Sequence, residues 1–371
     1  MKYLIFNEVV WNKTYKIILL LFFTIIISFI CLEIFSRIFF NISSKDIKAF
    51  KKFPGRYIES YFSGYRLSPN WYLNNDGVKE KINSYGFRSP EFEFSKNKNT
   101  YRIICLGSSV VYGAGNNKET FPFYLEKKLN ELKINNINVE VINAGVPGYN
   151  SYHTMTQFST SLIDLKPDLV ISYQLFTEMW YGWDIKFDKM NSENFKPINK
   201  NISYDRILDK SYFLIIVNSI LKKYKNEVID NSDVANSDFS KNEIRNFDES
   251  YLHYFSRNMK HIALICEYQN IDLILSVPLS LFKEKNTEAE KKVIYDYENK
   301  EFYLNFIQEG NKILKTISNQ HNNVHFFNPS EHIKSDITTL EDRYHPTPSG
   351  NKLLSEEYKK YIVKKDLLKI D

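Results

Sequence analysis

The chain has 371 residues, of which 43% are hydrophobic and 25% are charged, which is typical of a globular protein. Its net charge of +5 is spread over 49 basic and 44 acidic residues without a basic stripe, and this excludes nucleic acid as an expected partner. The cysteines Cys31, Cys105 and Cys266 lie in apolar stretches and predict neither a disulfide framework nor a zinc site. We therefore expect no metal and no cofactor.

Near the N-terminus, residues 15 to 40 predict one transmembrane helix. The run from 17 to 32, with nothing more polar than Thr24 and Ser28, is close to the lower limit of about 17 to 25 residues for a spanning helix, and apolar residues continue past Glu33 and Arg37. No small-residue cleavage site follows the run, so we expect an uncleaved anchor. A cleaved signal peptide and a core helix are the alternatives. Basic residues flank both ends of the helix, and their distribution leaves its orientation open.

Beyond the helix, short apolar runs alternate with longer segments of helical period, which predicts an α/β fold with a five-stranded parallel sheet. The predicted strands are 101–106, 139–142, 169–173, 272–277 and 324–327. The predicted helices are 119–133, 152–165, 247–268, 299–318 and 349–363.

The same pattern divides the chain into four parts. They are an N-terminal flank at 1–14, the transmembrane helix at 15–40, a connecting region with a candidate hairpin at 41–100, and a main domain at 101–371. Residues 184–245 are rich in Asn, Lys, Asp and Ser, and they predict an insertion after the third strand.

Polar candidates follow the carboxyl ends of the predicted strands. Ser109 follows the first strand, Gly145 the second, Thr177 the third, and Asp342 and His345 the fifth. Because ligands bind at this edge of an open parallel sheet, we expect all five residues to lie on one rim.

A serine, a histidine and an aspartate on one rim have the residue types of a nucleophilic triad. A serine hydroxyl is a poor nucleophile unless a base takes its proton, and a third group must hold that base in the right tautomer. The spacing Asp342-x-x-His345 on a turn lets the carboxylate accept from Nδ1 while Nε2 faces Ser109. Acyl chemistry also needs donors to the developing oxyanion, and Gly145, without a Cβ, lets a substrate approach its N–H closely. A turn around Pro147 is the other reason for a glycine there.

Three sequence blocks resemble those of the SGNH, or GDSL-type, serine esterases. The run Ile104-Cys-Leu-Gly-Ser-Ser-Val-Val-Tyr-Gly113 resembles the first block, with Ser109 at the nucleophile position. Asn143-Ala-Gly-Val-Pro-Gly148 resembles the second, and Asp342-Arg-Tyr-His-Pro-Thr-Pro-Ser-Gly350 the last. The resemblance covers about 101–363 and implies a flavodoxin-like three-layer α/β/α sandwich. It also implies Ser109 as nucleophile, His345 as base and Asp342 as orienting acid, with the amides of Ser109 and Gly145 as oxyanion donors.

The third block departs from the family pattern. Where the family usually has Gly-x-Asn-Asp, this chain has Leu175-Phe-Thr-Glu178, so Thr177 replaces the asparagine that completes the oxyanion hole. Loss of one such donor typically costs on the order of 100- to 1000-fold in rate. Thr177 can replace it through its hydroxyl, or the hole can consist of two amides alone.

The resemblance also bears on location and substrate. Membrane-anchored members with a segment like Gly86-Phe-Arg88 often act on acylated cell-surface glycans, which implies an extracytoplasmic domain and an acylated glycan or lipid ester as substrate. The expected activity is ester hydrolysis through an acyl-serine. The alternatives are an O-acyltransferase acting on cell-surface polysaccharide and a non-catalytic glycan-binding or assembly protein. The oligomeric state stays open.

Overall fold

In the computed structural model the chain divides into two units, one of residues 1–55 with 200–233 and one of 56–199 with 234–371. The structure describes residues 2–42, 56–60, 62–75, 78–134, 137–179, 213, 247, 249–294 and 296–369. The predicted insertion at 184–245 therefore lies outside the described residues, with the exception of Phe213.

The first unit contains one long helix, α1, which spans Lys2–Ile42. Its segment Tyr15–Ser36 has 22 residues with a mean hydropathy of 2.9, and at 1.5 Å per residue it is roughly 33 Å long. This length matches the hydrocarbon core of a bilayer, about 30 Å thick. The hydroxyl of Thr24 donates to the carbonyl of Leu20 at 2.8 Å, so this polar group is satisfied within the helix. The helix is thus long and apolar enough to cross a membrane, a property that signal sequences share.

In the second unit, two antiparallel hairpins precede the main sheet. Strand β1 (Tyr57–Ser60) pairs with β2 (Gly64–Leu67), and β3 (Tyr72–Asn75) pairs with β4 (Val78–Lys81). The sequence predicts one candidate hairpin in the connecting region at 41–100, and the described part of that region contains two.

The main sheet has five parallel strands in the order β6-β5-β7-β8-β9. They are β5 (Thr100–Gly107), β6 (Asn138–Asn143), β7 (Leu169–Tyr173), β8 (Asp272–Ser276) and β9 (Val324–Phe326). Every residue of β5 and β7 is buried, as expected for central strands covered on both faces. The predicted five-stranded parallel sheet is confirmed.

Helices cover both faces of this sheet. They are α2 (Ser109–Tyr112), α3 (Phe121–Asn130), α4 (Ser151–Gln157), α5 (His253–Tyr268), α6 (Glu288–Val293), α7 (Lys300–Ser318) and α8 (Pro348–Lys364). Crossovers between parallel strands are right-handed, so the reversal of strand order at β5 sends α3 to one face and α4 to the other. Helix α3 packs against α8, and α5 packs against both α4 and α7. The fold is therefore a three-layer α/β/α sandwich with its switch point at the carboxyl end of β5.

A buried arginine supports the opposite end of β5. The Arg102 side chain is fully buried, and its guanidinium is 2.9 Å from the carboxylate of Glu140. It also donates to the carbonyls of Phe94 at 3.0 Å, Leu165 at 2.7 Å and Glu93 at 2.6 Å. One guanidinium thus joins the sheet to the segment that precedes β5 and to the end of the connection between β6 and β7.

We expect Arg102→Met to lower the free energy of unfolding by about 2 to 4 kcal/mol, because three carbonyls and one carboxylate lose their charged donor. Arg102 lies five residues before Gly107 on β5, roughly 17 Å from the switch point at 3.3 Å per residue. Urea unfolding of the full-length protein in detergent measures the change. An unchanged unfolding midpoint would contradict the role given to this guanidinium.

Candidate active site

Ser109 lies two residues beyond the end of β5, at the first position of α2. Strand β5 ends at Gly107, and α2 has only four residues, Ser109–Tyr112. A Cβ on Gly107 would collide with the side chain of Val111 and with the carbonyl oxygen of Tyr173 on β7. The glycine therefore allows a sharp strand-to-helix turn, which leaves Ser109 partly exposed at the rim.

The loop that carries Asp342 and His345 is closed by short-range hydrogen bonds. Leu340 and Pro346 form an isolated antiparallel bridge, and the N–H of Glu341 donates to the carbonyl of His345 at 2.9 Å. The Asp342 Oδ1 atom accepts the backbone N–H groups of Tyr344 and His345, each at 2.9 Å. These hydrogen bonds within the loop therefore hold Asp342 and His345 in place relative to each other.

Ser109, His345 and Asp342 form a continuous hydrogen-bonded chain. Ser109 Oγ is 2.8 Å from His345 Nε2, and His345 Nδ1 is 2.7 Å from Asp342 Oδ2. Because an ionised carboxylate only accepts, the proton lies on Nδ1, and neutral Nε2 accepts the serine O–H. The His345 side chain is 25% exposed and that of Asp342 is 33% exposed, so the site opens to solvent.

The environment of Asp342 keeps its carboxyl group ionised. Partial burial by itself raises the pKa. The hydrogen bond from His345, its charge when the imidazole is protonated, and the amides of Tyr344 and His345 lower the pKa by more than burial raises it, so the net pKa is below the usual value. An anionic Asp342 at neutral pH can hold the imidazole in the tautomer described above and stabilise the imidazolium that forms during proton transfer.

Gly145 lies against the last two residues of α2, and its amide already donates a hydrogen bond. A Cβ at this position would collide with the backbone nitrogen of Tyr112, so only glycine allows the loop after β6 to approach α2 this closely. The Gly145 N–H donates to Asn143 Oδ1 at 3.0 Å, while Asn143 Nδ2 donates to the carbonyl of Val111 at 2.9 Å. Asn143 therefore links this loop to α2.

Thr177 lies in the short turn Phe176–Glu178 after β7, the strand beside β5. Gly107 and Tyr173 are register partners, so the turns that carry Ser109 and Thr177 leave the sheet at the same level. The Thr177 hydroxyl is buried and has no hydrogen-bond partner among the residues that the structure describes. An unpartnered buried hydroxyl costs about 1 to 3 kcal/mol.

Glu178, the next residue, joins this turn to the loop of Gly145. Its buried carboxylate accepts the Ser151 N–H at 2.6 Å and the Ser151 hydroxyl at 2.9 Å, and Asn258 Nδ2 donates to the same hydroxyl at 2.9 Å. Burial raises the pKa of Glu178 to about 7, and the hydrogen bonds from Ser151 oppose this effect only in part. The carboxyl group of Glu178 thus connects the turn after β7 to the first residue of α4.

Tyr112, at the end of α2, is enclosed by charged residues of the connecting region. Its hydroxyl donates to Glu80 Oε2 at 2.7 Å, and the guanidinium groups of Arg88 and Arg56 lie 4.5 and 4.7 Å from its ring centroid. Arg88 also donates to the carbonyls of Tyr112 and Gly113, and its burial lowers its pKa. The segment Gly86-Phe-Arg88 therefore braces the helix that begins with Ser109.

Sequence reasoning named Asn143, Glu178 and Arg88 within its motifs but predicted no supporting role for them. Their positions inside or beside the recognisable blocks were the only signal, because charged and amide side chains more often lie at the surface. In the sequence, Trp-Tyr-Gly-Trp at 180–183 predicts either a stacking surface for a sugar ring or packing beneath the insertion, and these residues lie outside the described ones.

The chain is similar to several solved structures at low sequence identity. A lipase/acylhydrolase from Enterococcus faecalis matches with 15% identity and a TM-score of 0.42, over 73% of this chain and 98% of that one. An acetylxylan esterase from Geobacillus stearothermophilus matches with 14% identity and a TM-score of 0.41, over 72% and 96%. A GDSL-like lipase from Bacteroides thetaiotaomicron matches with 13% identity and a TM-score of 0.40, over 74% and 93%. No family model and no curated protein matches the sequence.

The protonation of Glu178 gives a testable dependence of stability on pH. Its folded pKa of about 7 lies above the usual value of 4.5 for a glutamate, so between these two pH values the folded chain holds a proton that the unfolded chain has released. The stability contributed by this group therefore falls as the pH rises through that window, by up to roughly 3 kcal/mol.

We expect Glu178→Gln, which cannot ionise, to gain stability relative to the native protein as the pH rises from 4.5 to 7.5. His153, whose pKa burial lowers to about 4, acts in the opposite direction but is present in both proteins and cancels in the difference. Urea unfolding of both proteins across this pH range gives the comparison. A difference in free energy that does not change with pH would contradict a raised pKa at Glu178.

Proposed function

We propose that the protein is a membrane-anchored serine ester hydrolase that acts through an acyl-enzyme at Ser109. The observation that carries the proposal is the chain of hydrogen bonds from Ser109 to His345 to Asp342, with distances of 2.8 and 2.7 Å, at a rim open to solvent. A nucleophile, a base within hydrogen-bond reach and an ionised group that orients the base are the parts that acyl transfer requires.

The geometry supports the following sequence of steps. Ser109 Oγ attacks the ester carbonyl carbon as its proton moves to His345 Nε2, and the carbonyl electrons move to the oxygen. When the tetrahedral intermediate collapses, the bond to the alcohol oxygen breaks and His345 returns its proton to that oxygen. Water then attacks the acyl-Ser109 ester by the same route, releases the carboxylic acid and restores the serine. Asp342 stays ionised throughout and stabilises the imidazolium.

The proposed oxyanion hole uses the amides of Ser109 and Gly145 and the hydroxyl of Thr177. Ser109 is the first residue of a helix, where an N–H has no acceptor within the helix. The Gly145 amide must exchange its bond to Asn143 for one to the oxyanion. The Thr177 hydroxyl has no partner to give up among the described residues, so it is the donor that binds the oxyanion at the lowest cost.

For the substrate we propose an acylated glycan or a lipid ester at a membrane surface, with α1 as a single-pass anchor and the catalytic unit outside the cytoplasm. The length and hydropathy of Tyr15–Ser36 support the anchor. The partial exposure of His345 and Asp342 supports a substrate that reaches the triad from solvent rather than one enclosed in a deep cavity.

A fluorophosphonate probe tests the nucleophile directly in the full-length protein in detergent. We expect stoichiometric labelling of Ser109, complete loss of labelling in Ser109→Ala, and a rate about four orders of magnitude lower in Asp342→Asn, where the tautomer of His345 is wrong. Ser108→Ala, which alters the adjacent serine, is the matched control and should keep the native labelling rate. Labelling that persists in Ser109→Ala would overturn the proposal.

Replacing Thr177 by valine tests the third donor. We expect Thr177→Val to lower kcat for p-nitrophenyl acetate by about 100-fold with little change in KM, because the oxyanion interaction exists mainly in the transition state. Thr177→Ser retains a hydroxyl and should keep most of the activity. Thr154→Val is the control, because the Thr154 hydroxyl is buried but bonded to Gln174 and its loss should affect stability alone. A native kcat in Thr177→Val would contradict the role.

Product analysis separates hydrolysis from its alternatives. With an acylated glycan as donor, hydrolysis releases free carboxylic acid, whereas acyl transfer moves the acyl group to an added oligosaccharide acceptor. Glycan binding that is unaffected by Ser109→Ala, together with no probe labelling of the native protein, would identify a non-catalytic binding protein.

A further inference from the structure

We propose that Arg343 is a positioning residue that fixes the loop carrying Asp342 and His345 and couples it to the turn of Thr177. The proposal rests on the proposed function, since it concerns the geometry of the same triad. Arg343 lies between the acid and the base in sequence, yet its side chain is only 2% exposed and points away from the solvent that reaches its neighbours.

The guanidinium is held by a small buried network. Its Nη1 donates to the Tyr303 hydroxyl on α7 at 2.7 Å and lies 3.8 Å from the carboxylate of Asp296. The Tyr303 hydroxyl in turn donates to Asp296 at 2.5 Å, and Asn299 donates to the same carboxylate at 2.8 Å. The Tyr303 ring is stacked on Phe282 with centroids 4.0 Å apart. The partner of Arg343 is therefore itself fixed from two sides.

The backbone of Arg343 is anchored as well. Its carbonyl accepts the N–H of Leu281 at 2.9 Å and the hydroxyl of Ser280 at 3.4 Å, both in the segment that follows β8. Side chain and carbonyl thus attach one residue to two separate elements. Because Asp342 precedes this residue directly, a displacement of Arg343 moves the carboxylate that orients His345.

An aromatic stack extends the contact across the site. The guanidinium carbon lies 5.4 Å from the ring centroid of Tyr303 and 5.1 Å from that of Tyr344. The Tyr344 ring is stacked on Phe176 with centroids 4.5 Å apart at an angle of 11°, and it lies 4.6 Å from the His345 ring. Phe176 immediately precedes Thr177. The stack therefore connects the acid–base loop with the turn that carries the proposed third oxyanion donor.

Catalysis is more sensitive than stability to small displacements in such an arrangement. A misplacement of about 1 Å can cost about 100-fold in rate, and catalytic groups must be held to within about 0.5 Å by residues that are themselves locked. Arg343 meets this description through its buried hydrogen bonds and its position between two rings. Its contribution should consequently appear in the chemical step rather than in substrate binding.

The experiment compares Arg343→Met and Arg343→Lys with Arg102→Met in the full-length protein. Both arginines are buried, but Arg102 lies at the opposite rim of the sheet, so it controls for the loss of a buried charge. Fluorophosphonate labelling and p-nitrophenyl acetate kinetics are normalised to the folded fraction. We expect Arg343→Met to lower kcat and the labelling rate by about 10- to 100-fold at nearly constant KM. Arg343→Lys should lie between Arg343→Met and the native protein, and Arg102→Met should keep the native rates.

A double-mutant cycle with Asp342→Asn separates positioning from a structural role. If Arg343 acts through the aspartate and the imidazole, Arg343→Met should lower the rate of Asp342→Asn by less than threefold, because the interaction it supports is already lost. If Arg343→Met fails to fold, Tyr303→Phe, which removes the hydroxyl partner but keeps the stacked ring, gives the same comparison.

Three results would overturn the positioning role: native rates in Arg343→Met, an equal loss in Arg102→Met, or additive effects in the double mutant. Failure of the proposed function would look different, because Ser109→Ala would then label like the native protein whatever residue occupies position 343.

Discussion

The hydrogen bond between Ser109 and His345 joins residues 236 positions apart, and the parallel sheet is what brings them together. All five strands point the same way, so the loops that follow them open at one edge. Strand order reverses at β5, and the adjoining helices diverge there to leave room for a short turn at Ser109. The last loop then crosses this opening to place His345 over the serine. No local interaction could replace this arrangement, since Ser109 and His345 lie near opposite ends of the sequence of the second unit.

Two arginines and one carboxyl group buried beneath the rim hold its loops in place. Arg88 binds carbonyls at the end of α2, Glu178 binds the first residue of α4, and Arg343 binds Tyr303 below the loop that carries Asp342 and His345. Burying a charge is costly unless its hydrogen bonds are made, so each of these groups favours one arrangement of its loop over others. The apolar core between sheet and helices stabilises the fold, and these polar contacts orient the loops at the carboxyl edge of the sheet.

The sequence was sufficient to predict the five parallel strands, and it named Ser109, His345 and Asp342, which the structure brings within hydrogen-bond distance of one another. Short, largely apolar runs mark buried parallel strands, and Asp342 and His345 are held by hydrogen bonds within their own loop. The supporting residues could not be predicted in the same way. The partner of Arg343 is 40 positions away, and that of Arg88 is 24 positions away, so sequence spacing carries no signal for either contact. The engagement of the Gly145 amide by Asn143 is likewise a property of the folded loop.

The two loops beside Ser109 differ in how readily they can serve an oxyanion. The Gly145 amide has a neutral acceptor in Asn143, and a typical hydrogen bond of this kind contributes about 1 kcal/mol net, so its exchange for a charged oxyanion is favourable. The Thr177 hydroxyl has no such bond to lose among the described residues, and a hydroxyl can rotate toward a new acceptor without moving the backbone. In the proposed oxyanion hole, Thr177 would thus supply a rotatable hydroxyl donor rather than a fixed amide donor. The position of the Thr177 hydroxyl then depends on the turn Phe176–Glu178, which is held by the stacking of Phe176 on Tyr344 and by the hydrogen bond from Ser151 to Glu178.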